Sequence, residues 1–140
     1  MADKKLMRFG VSMEEKLLEQ FDDWVEQHDW SNRSEAIRDL VRDRLVEEEW
    51  VKRDGEVVAS LTFVYDHHVS DLQERLTRLQ HRHDGLVLSA MHVHLDHDNC
   101  IEVLVLRGSA EHIQTMADRI LGSRGVKHGK LVRSSLAGDL

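Results

Sequence analysis

Residues 7–13 read MRFGVSM, with Met7, Phe9, Val11 and Met13 on one side of an alternation and Arg8, Gly10 and Ser12 on the other. A period of two marks a half-buried strand. It gives way at once to a helical period. Leu17, Leu18, Phe21, Trp24, Val25 and His28 form an i, i+3, i+4 stripe that predicts a helix over 13–28. Ser12 and Glu15 have the spacing of a capping box at its start. Asn32 and Glu35 offer a second cap, and Ala36, Ile37, Leu40, Val41 and Leu45 a second stripe reaching residue 49 or so. One strand and two short helices cannot close on themselves. The strand leaves its own backbone groups unpaired, and the helices bury too little surface. The economical solution is a dimer over residues 1–50, in which two strands pair as an antiparallel ribbon and turn their apolar sides onto four helices.

The outer side of that ribbon presents Arg8, Gly10 and Ser12 twice about a twofold axis. A two-stranded ribbon fits the major groove of DNA, where arginine grips guanine and a hydroxyl meets several base edges. The alternative is an edge strand of a larger sheet with solvated polar side chains. Charge gives the ribbon limited help. The chain as a whole carries −7, and residues 1–50 hold eight basic against fourteen acidic side chains. Only the first twelve positions lean positive, with Lys4, Lys5 and Arg8 against Asp3. Phosphate contacts would therefore fall to Arg33 and to the amide groups opening the second helix, where the helix dipole favours anions.

After residue 50 the pattern changes. Residues 51–56 form a short polar linker containing glycine. Strands are predicted over 57–65, 86–95 and 100–108, with helices over 69–82 and 109–121, the latter capped by Ser109. The segment from Gly122 leads into a final strand. This β-α-β-β-α-β order over 57–136 makes the chain an α+β protein whose second domain is a ferredoxin-like sandwich. The chain holds no proline and no apolar run near the ~20 residues of a membrane helix. The start has no secretory pattern, and Cys100 is the single cysteine. A reducing cytoplasm is the expected location.

Seven of the ten histidines lie between 67 and 97, and residues 92–100 read HVHLDHDNC. His92 and His94 project from one face of a strand, and Cys100 opens the next strand across a hairpin turn. Two imidazoles and a thiolate suit Ni(II), Cu(II) or Zn(II). The hairpin lacks a firm fourth ligand. His81 and His83 at the end of the preceding helix are candidates, as are Asp96, His97 and Asp98 in the turn. A lone thiolate is unlike a structural zinc site. His67, His68 and His83 are read as solvent-exposed loop side chains. A His–Cys nucleophilic dyad is disfavoured, because no glycine-rich oxyanion loop accompanies it, so the chain is not read as an enzyme.

NRSEAIRDLVRD (32–43), LQH (79–81), MHVHLDHDNCIEVLVL (91–106) and GVKHGKL (125–131) resemble the bacterial and archaeal nickel-responsive regulators, NikR, from about Arg8 to Val132. The resemblance implies a ribbon-helix-helix DNA-binding domain joined to an ACT-like regulatory domain, in a homotetramer built as a dimer of dimers. It implies nickel-dependent repression of nickel-uptake genes at palindromic double-stranded operators. By position it makes His92, His94 and Cys100 ligands of one square-planar Ni(II) per protomer, completed by His81 of a neighbouring protomer. Glu102 and Tyr65 would support that site, while Glu35 and Asp39 would hold a potassium-like cation at the contact between the domains. Two positions depart from the family. Gly10 lacks the hydroxyl often found on the base-reading strand, and 54–74 carries no Lys or Arg where the family can place basic phosphate contacts. The rival classes are a metal storage or chaperone protein and an antitoxin-like interaction module.

Overall fold

The computed structural model describes residues 5–52, 55–69, 71–82 and 85–136. The chain forms two compact units, Met1–Val41 and Arg42–Leu140. His83 and Lys4, both weighed above, lie outside the described residues.

The first unit holds α1 (Glu15–Gln27) and the opening turns of α2 (Arg33–Lys52). Between the helices Val25 and Ala36 are buried, with Leu18, Phe21, Trp24 and Ile37 half-buried. The two indoles, Trp24 and Trp30, pack with ring centroids 4.3 Å apart. Trp30 Nε1 also donates to Asp39 Oδ2 at 2.7 Å, fixing the connection to the second helix. The Asn32 cap forms as expected: its Oδ1 accepts from Glu35 N at 3.0 Å. The Ser12–Glu15 capping box does not form. The helix begins later, with Glu14 at the cap position and no side chain capping it.

The expected strand over 7–13 is also absent from the single chain, where residues 5–14 are neither helix nor strand and all are exposed. The reason is the one the sequence raised: an extended segment without a neighbour has no partner for its N–H and C=O groups. Phe9 stays 75% exposed and Val11 63%. Leu17, Leu40 and Val41 on the helices are likewise open. Exposed apolar surface of this extent is the kind that interaction sites use.

The second unit is built on β1 (Glu56–Asp66), α3 (Leu72–Arg82), β2 (Val87–His94), β3 (Asn99–Ser109), α4 (Ala110–Leu121) and β4 (Val126–Ser134). The strands form one antiparallel sheet in the order β2-β3-β1-β4. That is the βαββαβ, ACT-like sandwich expected from the sequence. Strict alternation on β1 sends Val57, Ala59, Leu61, Phe63 and Tyr65 inward. They meet Leu104 and Leu106 of β3, Leu72 and Leu76 of α3, and Ile113, Met116 and Ile120 of α4. Ser109 caps α4 by accepting from His112 N at 3.2 Å. The opposite sheet face is also apolar and partly open, with Met91, Val93, Val105 and Val132 each at least 40% exposed.

Two boundaries differ from the sequence reading. Residues 51 and 52 continue α2 rather than opening the linker, and Trp50 is buried in the core of this unit, its Nε1 donating to Ser134 O at 3.0 Å. Burial of an indole outweighs the polar composition that suggested a loop. Helix α3 starts at Leu72, because Asp71 sits at φ 64°, outside the helical region, and Val69 packs against the core from a turn. That turn depends on Gly125. At φ 99° its backbone favours glycine, and a Cβ there would lie 2.7 Å from Leu72 Cδ2 and 2.9 Å from Val69 Cγ2.

Leu61 is fully buried at the centre of the sheet. Leu61→Ala is expected to lower the unfolding free energy by about 2–5 kcal/mol. The measurement is the urea midpoint at unchanged slope.

Candidate metal centre

The hairpin joining β2 and β3 is held by the side chain of Asp96. Its Oδ1 accepts from Asp98 N at 2.9 Å and from Asn99 N at 2.8 Å, and its other oxygen accepts from Asn99 Nδ2 at 3.0 Å. Lys127 Nζ in turn donates to Asn99 Oδ1 at 2.6 Å. These bonds, led by the one from Asn99, depress the Asp96 carboxyl to about 2. The closed turn fixes the register, with His94 opposite Cys100 and His92 opposite Glu102. On the other flank of β3, Tyr65 of β1 pairs with the same Cys100. Strand geometry thus gathers side chains from three strands at one end of the sheet.

Cys100 is fully buried, with His94 Nδ1 3.2 Å and His67 Nδ1 3.5 Å from its sulfur. Burial pushes its thiol pKa up, and the Asp96 and Glu102 carboxylates add to the shift. Donor atoms of His67, His94 and Cys100 all lie within 4.8 Å of one another. Two imidazole nitrogens beside a thiol that is ringed by carboxylates make a donor set that fits a borderline divalent cation. The set also disfavours a nucleophile, whose pKa would have to be lowered.

His92 stands beside this trio, its ring centroid 5.2 Å from that of His94. Its Nδ1 is 3.1 Å from Tyr65 Oη and 3.8 Å from Glu102 Oε2. Glu102 is the one buried charged residue among those described, and Gln80 Nε2 of α3 donates to its Oε1 at 2.9 Å. Desolvation, with help from Glu102 and Cys100, lifts the Tyr65 hydroxyl to about 12, so it stays protonated at any physiological pH.

Of the four expected ligands, the fold brings His94 and Cys100 into one donor cluster, while His92 stands beside it, facing Tyr65 and Glu102. His81 sits exposed in the last turn of α3 and, among the described residues, joins no donor cluster of its own chain. His67 overturns the expectation of a solvent-exposed loop side chain, being half-buried against Cys100. Parity along β1 carries the signal, since Phe63, Tyr65 and then His67 continue on the inward side. His68 remains exposed as expected.

In the first unit, Arg8, Gly10 and Ser12 are exposed. Arg33, expected to face phosphate, is instead held by Asp22 through Nε at 2.7 Å and a second nitrogen at 2.6 Å. Glu35 accepts from Arg38, and Asp39 from Trp30.

The comparisons with known proteins follow these two regions. A family model described as the NikR C terminal nickel binding domain matches residues 58–134. A second, described as a ribbon-helix-helix protein of the copG family, matches 7–48. A protein of Geobacter sulfurreducens named as a nickel-responsive regulator is 54% identical over 134 residues, covering 96% of each chain. Another so named, from Nitratidesulfovibrio vulgaris, is 49% identical over 136 residues, 97% of this chain and 98% of the relative. Among solved structures, an uncharacterized Thermotoga maritima protein superposes with a TM-score of 0.51 at 19% identity. It covers 56% of this chain and 98% of its own length, a likeness of fold.

The lowered Asp96 carboxyl stabilises the fold above its unfolded pKa of about 3.9, and that stability is lost as pH falls towards 2. The melting-temperature gap between wild type and Asp96→Ala is expected to be constant above pH 5 or so and to close below pH 3 or so, as read by thermal denaturation across that range.

Proposed function

The chain belongs to the NikR family of nickel-responsive regulators, which joins a ribbon-helix-helix DNA-binding domain to a nickel-binding domain, and from that premise we propose that it represses nickel-uptake genes when Ni(II) is bound. The observation that carries the proposal is the cross-strand pair of the exposed His94 and the buried Cys100, with Nδ1 and Sγ 3.2 Å apart.

His92, His94 and Cys100 serve as ligands, and the partner subunit's His81 completes a square plane with one nickel per protomer. His81, exposed at the end of α3, is available to a neighbour. With His92 Nε2 given to the metal, Nδ1 keeps its proton and donates towards Tyr65 or Glu102, which fixes the ring. When bound, Ni(II) supplies a square-planar template that tetrahedral zinc does not favour. Burial holds the Cys100 thiol above its ordinary range, so a metal bound there would have to displace its proton.

A coordination sphere drawn from two protomers links metal occupancy to assembly. The partly open sheet face bearing Met91, Val93, Val105 and Val132 supports pairing into a homotetramer, a dimer of dimers. With the site filled, the ribbons are held more often at the spacing of two palindromic half-sites. In each ribbon dimer the segment around Met7, Phe9, Val11 and Met13 gains its second strand, and Arg8, Gly10 and Ser12 face the major groove. Arg33 reaches phosphate by exchanging Asp22 for the backbone of DNA. Glu35 and Asp39 are the carboxylates for a potassium-like cation. The protein acts in the cytoplasm, and no helix among the described residues is long and apolar enough to cross a membrane.

The test is retention of operator DNA by the purified full-length protein at controlled nickel. Apo protein is expected to bind weakly and nickel to strengthen binding. Cys100→Ala should abolish the nickel effect, and Arg8→Ala should weaken specific binding by about 1–3 kcal/mol for each guanine that the arginine grips. Nickel affinity should fall as pH is lowered. Nickel-dependent retention that survives Cys100→Ala would sink the proposal.

A further inference from the structure

Beside the cluster of His67, His94 and Cys100 lies a second group of donors that the regulator's nickel site does not use. His68, His97 and Asp98 are all exposed, yet their donor atoms lie within 4.8 Å of one another. His68 Nε2 is 3.2 Å from Asp98 Oδ1 and 3.1 Å from His97 O, and the two imidazole rings stand 5.2 Å apart. With metal–donor bonds of about 2.0–2.2 Å, such separations need only small side-chain adjustments to close on one ion.

These side chains come from two different loops, the turn after β1 and the β2–β3 hairpin, and both are pinned by the backbone. His67 N donates to Asp98 O at 3.0 Å, directly joining the loops. Asp66 N donates to Gly125 O at 3.0 Å, and Asp66 Oδ1 accepts from His68 N at 2.9 Å. The Asp96 carboxylate holds the hairpin from the other side. Little ordering is left for a ligand to impose, and preorganisation of this kind raises affinity.

We propose that His68, His97 and Asp98 form a second, outer site for a divalent transition metal. Two imidazoles and a carboxylate without sulfur suit a borderline ion such as Zn(II), Co(II) or Ni(II), with water completing its sphere. Lacking a thiolate and open to solvent, the outer site fills at higher metal concentration than the inner one. It also bears on the inner site. An ion bridging the two loops clamps the turn that carries His67, whose ring centroid is 4.1 Å from that of His68 and whose Nδ1 faces Cys100.

Co(II) titration of the full-length protein, followed by absorbance and by equilibrium dialysis, separates the two sites. Wild type is expected to bind two equivalents per chain, the weaker one with d–d bands but no added sulfur-to-cobalt charge transfer. His68→Asn and, separately, Asp98→Ala should keep the first equivalent and weaken the second by more than the ~10–100-fold typical of losing a mere supporting partner. Cys100→Ser should lose the charge transfer and keep the outer equivalent, so the two assignments fail independently. The inference is overturned if only one equivalent binds, if the second is unchanged in both outer variants, or if it vanishes with Cys100→Ser.

Discussion

The register of β3 between its two neighbours governs the rest of the site. Cys100 pairs with His94 on one flank and Tyr65 on the other, while Glu102 pairs with His92 and Phe63. Because successive pairs on a sheet face repeat every two residues, one registration sets every donor at once, and a slip by one residue would send all of them to the opposite face. The hairpin that enforces this registration is closed by one carboxylate, Asp96, bonded to two backbone amides and to the Asn99 side chain. A turn stabilised by its own first residue is local chemistry placed at the service of a site formed by three strands.

Both units are unfinished as single chains, and for related reasons. The N-terminal segment shows Met7, Phe9 and Val11 to solvent because a lone strand has no hydrogen-bonding neighbour. The metal centre gathers its donors from one chain but leaves His81 apart, exposed on the last turn of α3. Under the proposed assembly, in which another copy completes both the DNA-reading element and the sensor, the two are connected through subunit contacts. The coupling then needs no continuous path of contacts inside one chain, only a metal that favours one arrangement of subunits over the others.

Electrostatics divides the work between the halves. Burial raises the Cys100 thiol pKa, with the Asp96 and Glu102 carboxylates adding to the shift, and the same carboxylates favour a cation at the site. In the first unit the same excess of acid acts against DNA: Asp22 occupies the Arg33 guanidinium through two short hydrogen bonds. Under the proposed reading, an acidic chain of this kind relies on the geometry of a paired ribbon more than on bulk attraction to phosphate.

Periodicity alone determined the two N-terminal helices, the βαββαβ order of the second unit and the inward residues of β1, since alternation and the 3.6 repeat follow from local backbone geometry, whereas the alternation over 7–13 forms no strand in the single chain because a strand needs a neighbour. It also placed His92, His94 and Cys100 together, because a hairpin is a short-range structure. The departures lay at element ends and in long-range partners. The Ser12 cap gave way to a helix starting at Glu15, α2 ran two residues into the expected linker, to Lys52, with the Trp50 indole taken by the core of the sheet, and Arg33 found Asp22 eleven residues away. His67 became a neighbour of Cys100 only because β1 and β3 pair in one register, a fact fixed by the packed sheet and absent from either strand's own pattern. The pattern of an element settles which way each side chain points along it; which other element that side chain meets is decided when the burial of the whole core selects one register.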